Sequence, residues 1–368
     1  MTHLLAPARG IFVLAGIAVA VLVTLAGPAH GHTRIDEYSV DIASTITAEP
    51  DLPGVEWELH GGGLLVEATN DGPSELIVLG YEGEPYLRIG PEGAAENRHS
   101  PARYLNAERY GDVAVPPVAD PALPPDWILI DDEPRAVWHD HRTHWMSPEA
   151  PSAARADPSR AHHVADWRLP FTHDGDAQLL EGEMWWLPAP SPWLFLLGGI
   201  ALTAPALLSL RRSPSADPPS ARRMLRPAAV VVGVVALANT AHLPDEVLAY
   251  PQPTLDVLSG MLHTSIFLIA GLGGAAVAWR GGRVAPAALG IASAALLFHQ
   301  GLLHLAVLGA AVLPTSLPEA AFRLLVAASL VQAAPVAIVL LAARRRGPGR
   351  EEPSRADEEH SLPERADA

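Results

Sequence analysis

The chain has 368 residues and no cysteine, which excludes disulfide bonds and thiolate metal sites. Its formal charge at pH 7 is −16, and all 25 basic residues are arginine. Residues 32–190 hold 10 arginines against 29 acidic residues. An acidic surface of this kind repels nucleic acid and concentrates cations, so nucleic acid is not an expected partner.

Residues 1–31 predict an export signal. Arg9 precedes an apolar run, residues 11–25, that is short for a membrane span, and small residues follow it. Cleavage after Gly31 would leave His32 at the new terminus, where its amine and imidazole can bind one copper ion. Cleavage after Ala29 would instead expose His30, Gly31 and His32, a sequence that favours copper(II) or nickel(II). A peptidase boundary without a metal, or an uncleaved anchor, is the alternative.

Residues 32–190 predict an extracytoplasmic β-rich domain with a β-sandwich-like (Ig-like) fold. Short runs of β-forming residues alternate with Gly, Pro, Asn and Asp turns. The stretch 81–91 predicts a hairpin with packed tyrosines, residues 116–125 an extended linker, and residues 147–163 a mobile loop. The predicted strands are 38–46, 55–59, 64–69, 76–79, 86–89, 127–130, 135–139 and 178–187.

Residues 191–346 predict an all-α five-helix transmembrane bundle. The apolar runs are 193–210, 227–243, 255–279, 284–313 and 320–343, and the fourth is too long for a straight span. Arginines follow the first, third and fifth runs, which places those loops in the cytoplasm under the positive-inside rule. We therefore expect a multi-pass cell-membrane protein with residues 32–190 outside. Residues 347–368 predict a disordered cytoplasmic tail.

The segment Trp138-His139-Asp140-His141-Arg142-Thr143-His144-Trp145-Met146 predicts a metal site. On a strand, His139 and His141 share one face, while His144 reaches them only through a turn. An all-imidazole site suits copper(II) or zinc. Asp140 is expected to point away, as a partner of Arg142 or a residue that orients a ligand. The alternatives are a polar hairpin packed by the two tryptophans and the His-x-His-x-Asp-His motif of metallo-β-lactamase-fold hydrolases, which Thr143 interrupts.

Two histidines within the predicted spans form a second candidate site. His263 and His304 are both expected roughly 12–14 Å below the outer boundary, on facing helices. Ionisable residues inside a membrane are functional candidates by default, so we expect an inner metal site there. A haem held by the same two rings, or structural hydrogen bonding between helices, is the alternative. On an α-helix, His299 would point about 140° away from His304.

Three segments carry a resemblance to a known family. They are YEGEPYLRIGPEGAAENRHSPARYLN (81–106), WHDHRTHWM (138–146) and EGEMWWLPAPSPW (181–193). These resemble a family of uncharacterised actinobacterial membrane proteins with a signal peptide, a secreted β-domain carrying a WHDHRxHWM motif and a multi-span part. The layout is also similar to fused copper-resistance C and D proteins, which implies copper handling. The methionine-rich copper(I) motif of some of those proteins is absent.

The sequence therefore predicts a membrane-anchored extracytoplasmic protein that binds copper or zinc and takes part in metal homeostasis or delivery, without catalysis. Its expected partners are a metal ion and membrane lipids. The main alternative is an envelope or sensory protein whose histidine cluster is structural. A third is a membrane redox protein that binds haem.

Overall fold

The computed structural model describes residues 41–210, 221–248 and 254–345. The predicted signal at residues 1–31, the candidate ligand His32 and the predicted tail at residues 347–368 lie outside these ranges.

The first part of the chain forms ten antiparallel strands in two sheets. The larger sheet has seven strands in the order β1-β10-β9-β4-β5-β6-β7, and the smaller has the order β2-β3-β8. Two short helices lie between strands: α1 (Pro101–Leu105) between β6 and β7 of the larger sheet, and α2 (Ser152–Ala156) between β8 and β9 of different sheets. The strands are β1 (Ile42–Ala48), β2 (Val55–His60), β3 (Leu65–Asn70), β4 (Leu76–Leu79), β5 (Pro85–Gly90), β6 (Gly93–Asn97), β7 (Trp127–Asp131), β8 (Arg135–His139), β9 (His162–His173) and β10 (Asp176–Trp186).

One apolar core holds the two sheets together. Alternate residues of β3, Val66 and Ala68, are fully buried, as expected for a strand with one face on a core. Trp57 of the smaller sheet packs on Phe171 of the larger one, with ring centroids 5.0 Å apart. Each fully buried large apolar side chain contributes about 1.5–3 kcal/mol to folding. This core fixes the position of β8, which leads into the histidine segment.

The antiparallel β-rich prediction is confirmed, and two of its strands, β4 and β8, match the predicted bounds. The immunoglobulin-like fold of this part stays a prediction. Two strands were missed: β6 is Gly93-Ala94-Ala95-Glu96-Asn97, which has little β propensity, and β9 carries many polar residues and Pro170. The prediction of a loop over residues 147–163 was wrong at two places, because α2 lies within it and β9 begins at His162.

The second part of the chain is helical. The described residues include four helices long and apolar enough to cross a membrane: Met224–Asp245, Val257–Arg280, Ala285–Leu302 and Glu319–Arg344. A shorter apolar helix, Pro192–Leu208, precedes them. The α-helical segments are α3 (Pro192–Thr203), α4 (Ala221–Ala238), α5 (His242–Leu248), α6 (Thr254–Arg280), α7 (Ala285–Ala295), α8 (Glu319–Val331) and α9 (Ala333–Arg345).

The fourth predicted run, residues 284–313, is not one helix. After α7 the backbone forms a π-helical turn, Leu296–Leu302, and then a short 3-10 helix, Leu305–Leu308. Between the two, His304 leaves helical geometry with φ −103° and ψ 18°. The regular helix therefore ends early, and the remaining residues form a loop before α8 that packs on neighbouring segments.

This loop contacts the β-sheet part. The Ala311 amide donates to the Asp41 carboxylate at 3.3 Å. The loop is also tied to α8, since the Arg323 guanidinium donates to the Ala310 carbonyl at 2.7 Å. Val312 of the same loop packs close to Gly62, since its Cγ1 would lie 3.3 Å from a Cβ added to that glycine. The segment that follows His304 thus joins the bundle to the sheets.

Candidate metal centre

The histidine segment leaves β8 through a turn organised by Asp140. The strand pairs with β3 up to His139, opposite Leu65. The buried Asp140 carboxylate then accepts hydrogen bonds from the Trp138 indole at 3.0 Å and the Arg142 amide at 3.1 Å. The Arg142 guanidinium binds the same carboxylate through Nε at 2.8 Å and through a second nitrogen at 2.7 Å. Because Arg142 and Trp138 stabilise the charged form, the pKa of Asp140 is lowered despite its burial.

A glycine on the neighbouring segment fixes the far side of the turn. The Thr143 hydroxyl donates to the Gly63 carbonyl at 2.7 Å, and the Ser44 hydroxyl donates to the Thr143 carbonyl. Gly63 has φ +97°, and a Cβ there would lie 2.4 Å from the Thr143 carbonyl oxygen. Only glycine allows this close approach, so the triple glycine positions the turn that carries His144.

The turn brings three imidazoles together. One ring nitrogen from each of His139, His141 and His144 lies within 4.8 Å of the other two. The ring centroids are 4.6 Å apart for His139 and His144, 4.9 Å for His139 and His141, and 5.8 Å for the remaining pair. His144, which required a turn to join the other two, forms the closest contact: its Nε2 is 2.6 Å from Nε2 of His139.

Backbone carbonyls fix the tautomer of every ring. His139 Nδ1 lies 3.1 Å from the Asn106 carbonyl, and His144 Nδ1 lies 3.1 Å from its neighbour's carbonyl, that of Trp145. His141 Nε2 lies 2.8 Å from the Glu108 carbonyl. A carbonyl only accepts, so each of these nitrogens carries the proton. The lone pairs remain on Nε2 of His139, Nε2 of His144 and Nδ1 of His141, which is the usual arrangement of metal-ligating histidines.

Two of these lone pairs face each other without a proton to share. Burial is the main reason that the pKa falls to about 4 for His139 and to about 3 for His144. The neighbouring imidazoles lower both values further. At neutral pH both rings are therefore uncharged, and a cation is the partner that would relieve the contact between their Nε2 atoms.

Tyr81 supports the cluster from one side. Its ring stacks on His141 with centroids 5.9 Å apart, and its hydroxyl accepts from the His141 amide at 3.1 Å. That hydroxyl donates to the Asn106 side chain, whose backbone carbonyl binds His139. The guanidinium of Arg142 lies 5.0 Å from the centre of the Tyr81 ring. The predicted tyrosine hairpin thus has a second role, since it positions two of the three rings.

A cavity of about 470 Å³ borders the cluster at His139. Glu96 and Arg103 face each other in its wall at 2.8 Å. Because one side of the His139 ring borders open space, that ring has room to shift when an ion enters. The other lining residues are Tyr86, Tyr104, Asn106, Ala107, Val137 and Trp138.

Two further groups in the described residues combine histidine with acids. Glu58, His60 and Glu67 lie on β2 and β3, but the Glu67 carboxylate already binds Arg135 and the His60 ring. The other group is more exposed and consists of His163, Asp166 and Glu183. Neither group shows the facing lone pairs of the three-histidine cluster.

A third ring contacts both members of the candidate inner pair. His299 lies 4.8 Å from His263 and 6.0 Å from His304, measured between ring centroids. The expected 140° offset of His299 was wrong, because it assumed an α-helix where the chain makes a π turn and then a non-helical residue. The ring of His299 therefore contacts both of the rings that the sequence placed in one inner site.

Sequence reasoning missed the groups that orient the ligands. Carbonyls of Asn106, Glu108 and Trp145 carry no side-chain signal, and Tyr81 gave only a packing signal. Comparisons of the chain with protein-family models, with curated proteins and with solved structures found no match.

Proposed function

We propose that this protein is a membrane-anchored metal-binding protein that holds one transition-metal ion at His139, His141 and His144. The observation that carries the proposal is the 2.6 Å approach of the two Nε2 lone pairs, in rings whose protons are committed to backbone carbonyls. Two lone pairs at this distance repel each other when no ion is bound, and both attract a cation that binds between them. An all-imidazole ligand set favours copper over zinc, following the general affinity order of divalent metals.

The arrangement fits an ion after a small adjustment. Tetrahedral coordination at about 2.0–2.1 Å places two ligand nitrogens about 3.3 Å apart. His139 and His144 must therefore separate by about 0.7 Å from their present 2.6 Å. The cavity beside His139 provides the space for this movement. With three protein ligands, a fourth position stays open for exchange, which suits homeostasis or delivery more than a closed structural site.

We further propose that the helical part crosses the cell membrane five times, with Pro192–Leu208 as the first crossing. The four longer apolar helices and the arginines at alternate ends of the helices support this arrangement. In this orientation the acidic β-sheet part lies outside, where its charge raises the local concentration of cations. The C-terminus then lies in the cytoplasm.

Metal titration of the purified full-length chain tests the site. We expect one copper(II) ion to bind, with a dissociation constant that rises more than about 100-fold in His139→Ala and in His144→Ala. This increase is larger than the 10- to 100-fold increase, roughly, that follows loss of a residue that only orients a ligand. His99→Ala is the matched control, because His99 lies in the same region and also binds a carbonyl, that of Pro124. Affinity that stays unchanged in both cluster variants would eliminate the proposed site.

A further inference from the structure

The helical part contains buried polar atoms that lack hydrogen-bond partners among the described residues. Among them are Nε2 of His263, Nδ1 of His299 and both amide atoms of Gln300. His299 is 4 % exposed and Gln300 is 1 % exposed, so neither side chain turns to solvent. A buried polar group without a partner costs free energy, and a native bundle that keeps several at one place points to a missing ligand.

Two of these atoms, on His263 and His299, belong to a row of four imidazoles. Ring centroids are 5.5 Å apart for His242 and His304, 6.0 Å for His304 and His299, and 4.8 Å for His299 and His263. The row runs from α5, across the segment that follows α7, to α6. The π turn makes it possible, because it lets His299 and His304 face the same space; π turns inside helices often mark functional sites.

The protons on these rings are placed as in a ligand set. His299 Nε2 lies 3.3 Å from the Thr264 hydroxyl, which can accept its proton and leave a lone pair on the unpartnered Nδ1. His304 donates from Nδ1 to the His299 carbonyl at 2.9 Å, which leaves its lone pair on Nε2. The nitrogen of His263 without a partner faces the same neighbourhood, since its ring contacts that of His299.

The charges around the row favour an ion of low charge. The Asp245 carboxylate accepts from Thr315 and Ser316, and the Arg323 guanidinium is paired with Glu319. An imidazole ligand brings no negative charge to an ion, unlike a carboxylate or a thiolate. Since the cost of burying an ion grows with the square of its charge, a monovalent ion costs about a quarter as much as a divalent one. Copper(I) is the monovalent ion that also accepts imidazole ligands.

We infer that the helical bundle binds a second ion, copper(I), between His263 and His299, with His304 and His242 continuing the row of ligands toward the outer end of the bundle. This site shares no residue with the three-histidine cluster, so the two can fail separately. The loop that follows His304 contacts the β-sheet part through Ala311 and Asp41.

Counting copper in the full-length protein tests the inference. The protein would be held in lipid nanodiscs, loaded anaerobically with copper and ascorbate, and washed with a copper(I) chelator of moderate affinity. We expect two ions per chain in the unmodified protein, one in the double variant His139→Ala/His144→Ala, and one in His299→Ala. His263→Ala is a second inner variant at a half-buried ring, which is easier to replace without loss of folding. His99→Ala should keep both ions.

Two results would overturn the inference: a count that stays at the unmodified value in both His299→Ala and His263→Ala, or a single ion in the unmodified protein that only the outer variants remove. A third result would distinguish failure of the three-histidine cluster from failure of the inner site. One ion that survives the outer double variant and disappears in His299→Ala would support the inner site while refuting the proposed function of the cluster.

Discussion

The pH dependence of metal affinity gives the sharpest prediction about the three-histidine cluster. A metal ion competes with protons for a lone pair, so an ordinary imidazole with a pKa near 6.5 loses affinity as the pH falls below that value. Burial lowers the pKa to about 4 for His139 and to about 3 for His144. Both rings therefore stay neutral in the folded protein well below the pH at which free histidine protonates.

The expected magnitude follows from these values. At pH 5.5 a free imidazole is about 90 % protonated, which weakens metal binding about tenfold per ligand. A peptide of residues 138–146 has three such ligands, so its dissociation constant should rise by up to about three decades for each pH unit below 6.5. In the folded protein His139 and His144 contribute almost nothing to this slope above pH 5. Any one ligand that competes with a single proton adds at most about one decade per pH unit.

The assay is copper titration of the full-length protein and of the peptide at several values between pH 7 and pH 5. We expect a slope of at most about one decade per pH unit for the protein and a clearly steeper slope for the peptide. A protein slope of two or more would refute the reasoning. In that case the two rings would exchange protons with solvent, and their buried arrangement would be wrong.

Three further outcomes follow from the same contacts. Asp140→Ala leaves the Arg142 guanidinium buried without its carboxylate and should lower the free energy of unfolding by about 3–5 kcal/mol, measured by thermal or denaturant unfolding; an unchanged melting temperature would contradict this. Gly63→Ala should weaken copper binding, because the new Cβ would collide with the Thr143 carbonyl. Gly83 has a similar φ, +83°, but open space around it, so Gly83→Ala is the control and should bind copper as the unmodified protein does. Equal copper affinities in the two variants would argue against the role of the Gly63 contact. Without metal, the imidazoles of His139 and His144 remain neutral in the folded protein, while those of the unfolded chain take up protons below about pH 6.5. The free energy of unfolding should therefore decrease as the pH falls from about 6.5 to 4. A melting temperature that is higher at pH 5 than at pH 7 would contradict this prediction.

The elements with a strong local signal were predictable from sequence. Alternation of apolar residues between turn residues located β3, β4 and β8, and long apolar runs located the membrane helices. The signal failed where tertiary context decides. β6 has little intrinsic β propensity and forms because β5 and β7 pair on both sides of it. The first apolar run gave a helix shorter than the other four, so its crossing remains a proposal.

The candidate site was predictable in its residues but not in its geometry. Spacing alone paired His139 with His141, while the turn held by Asp140 and Thr143 made His144 the nearest neighbour of His139. Long-range carbonyls that set the tautomers cannot be read from a local pattern. In the bundle, helical periodicity separated His299 from His304, and only the π turn brings them together.

The central claim is that three imidazoles hold one ion, and the ligand shell of that ion tests it most directly. X-ray absorption of the full-length protein loaded with one equivalent of zinc, a spectroscopically simple substitute for copper, would report the shell. We predict three imidazole nitrogens at about 2.0–2.1 Å plus one exchangeable light atom, with fewer imidazoles in His144→Ala. A shell dominated by carboxylate oxygens, or one that His144→Ala leaves unchanged, would contradict the account.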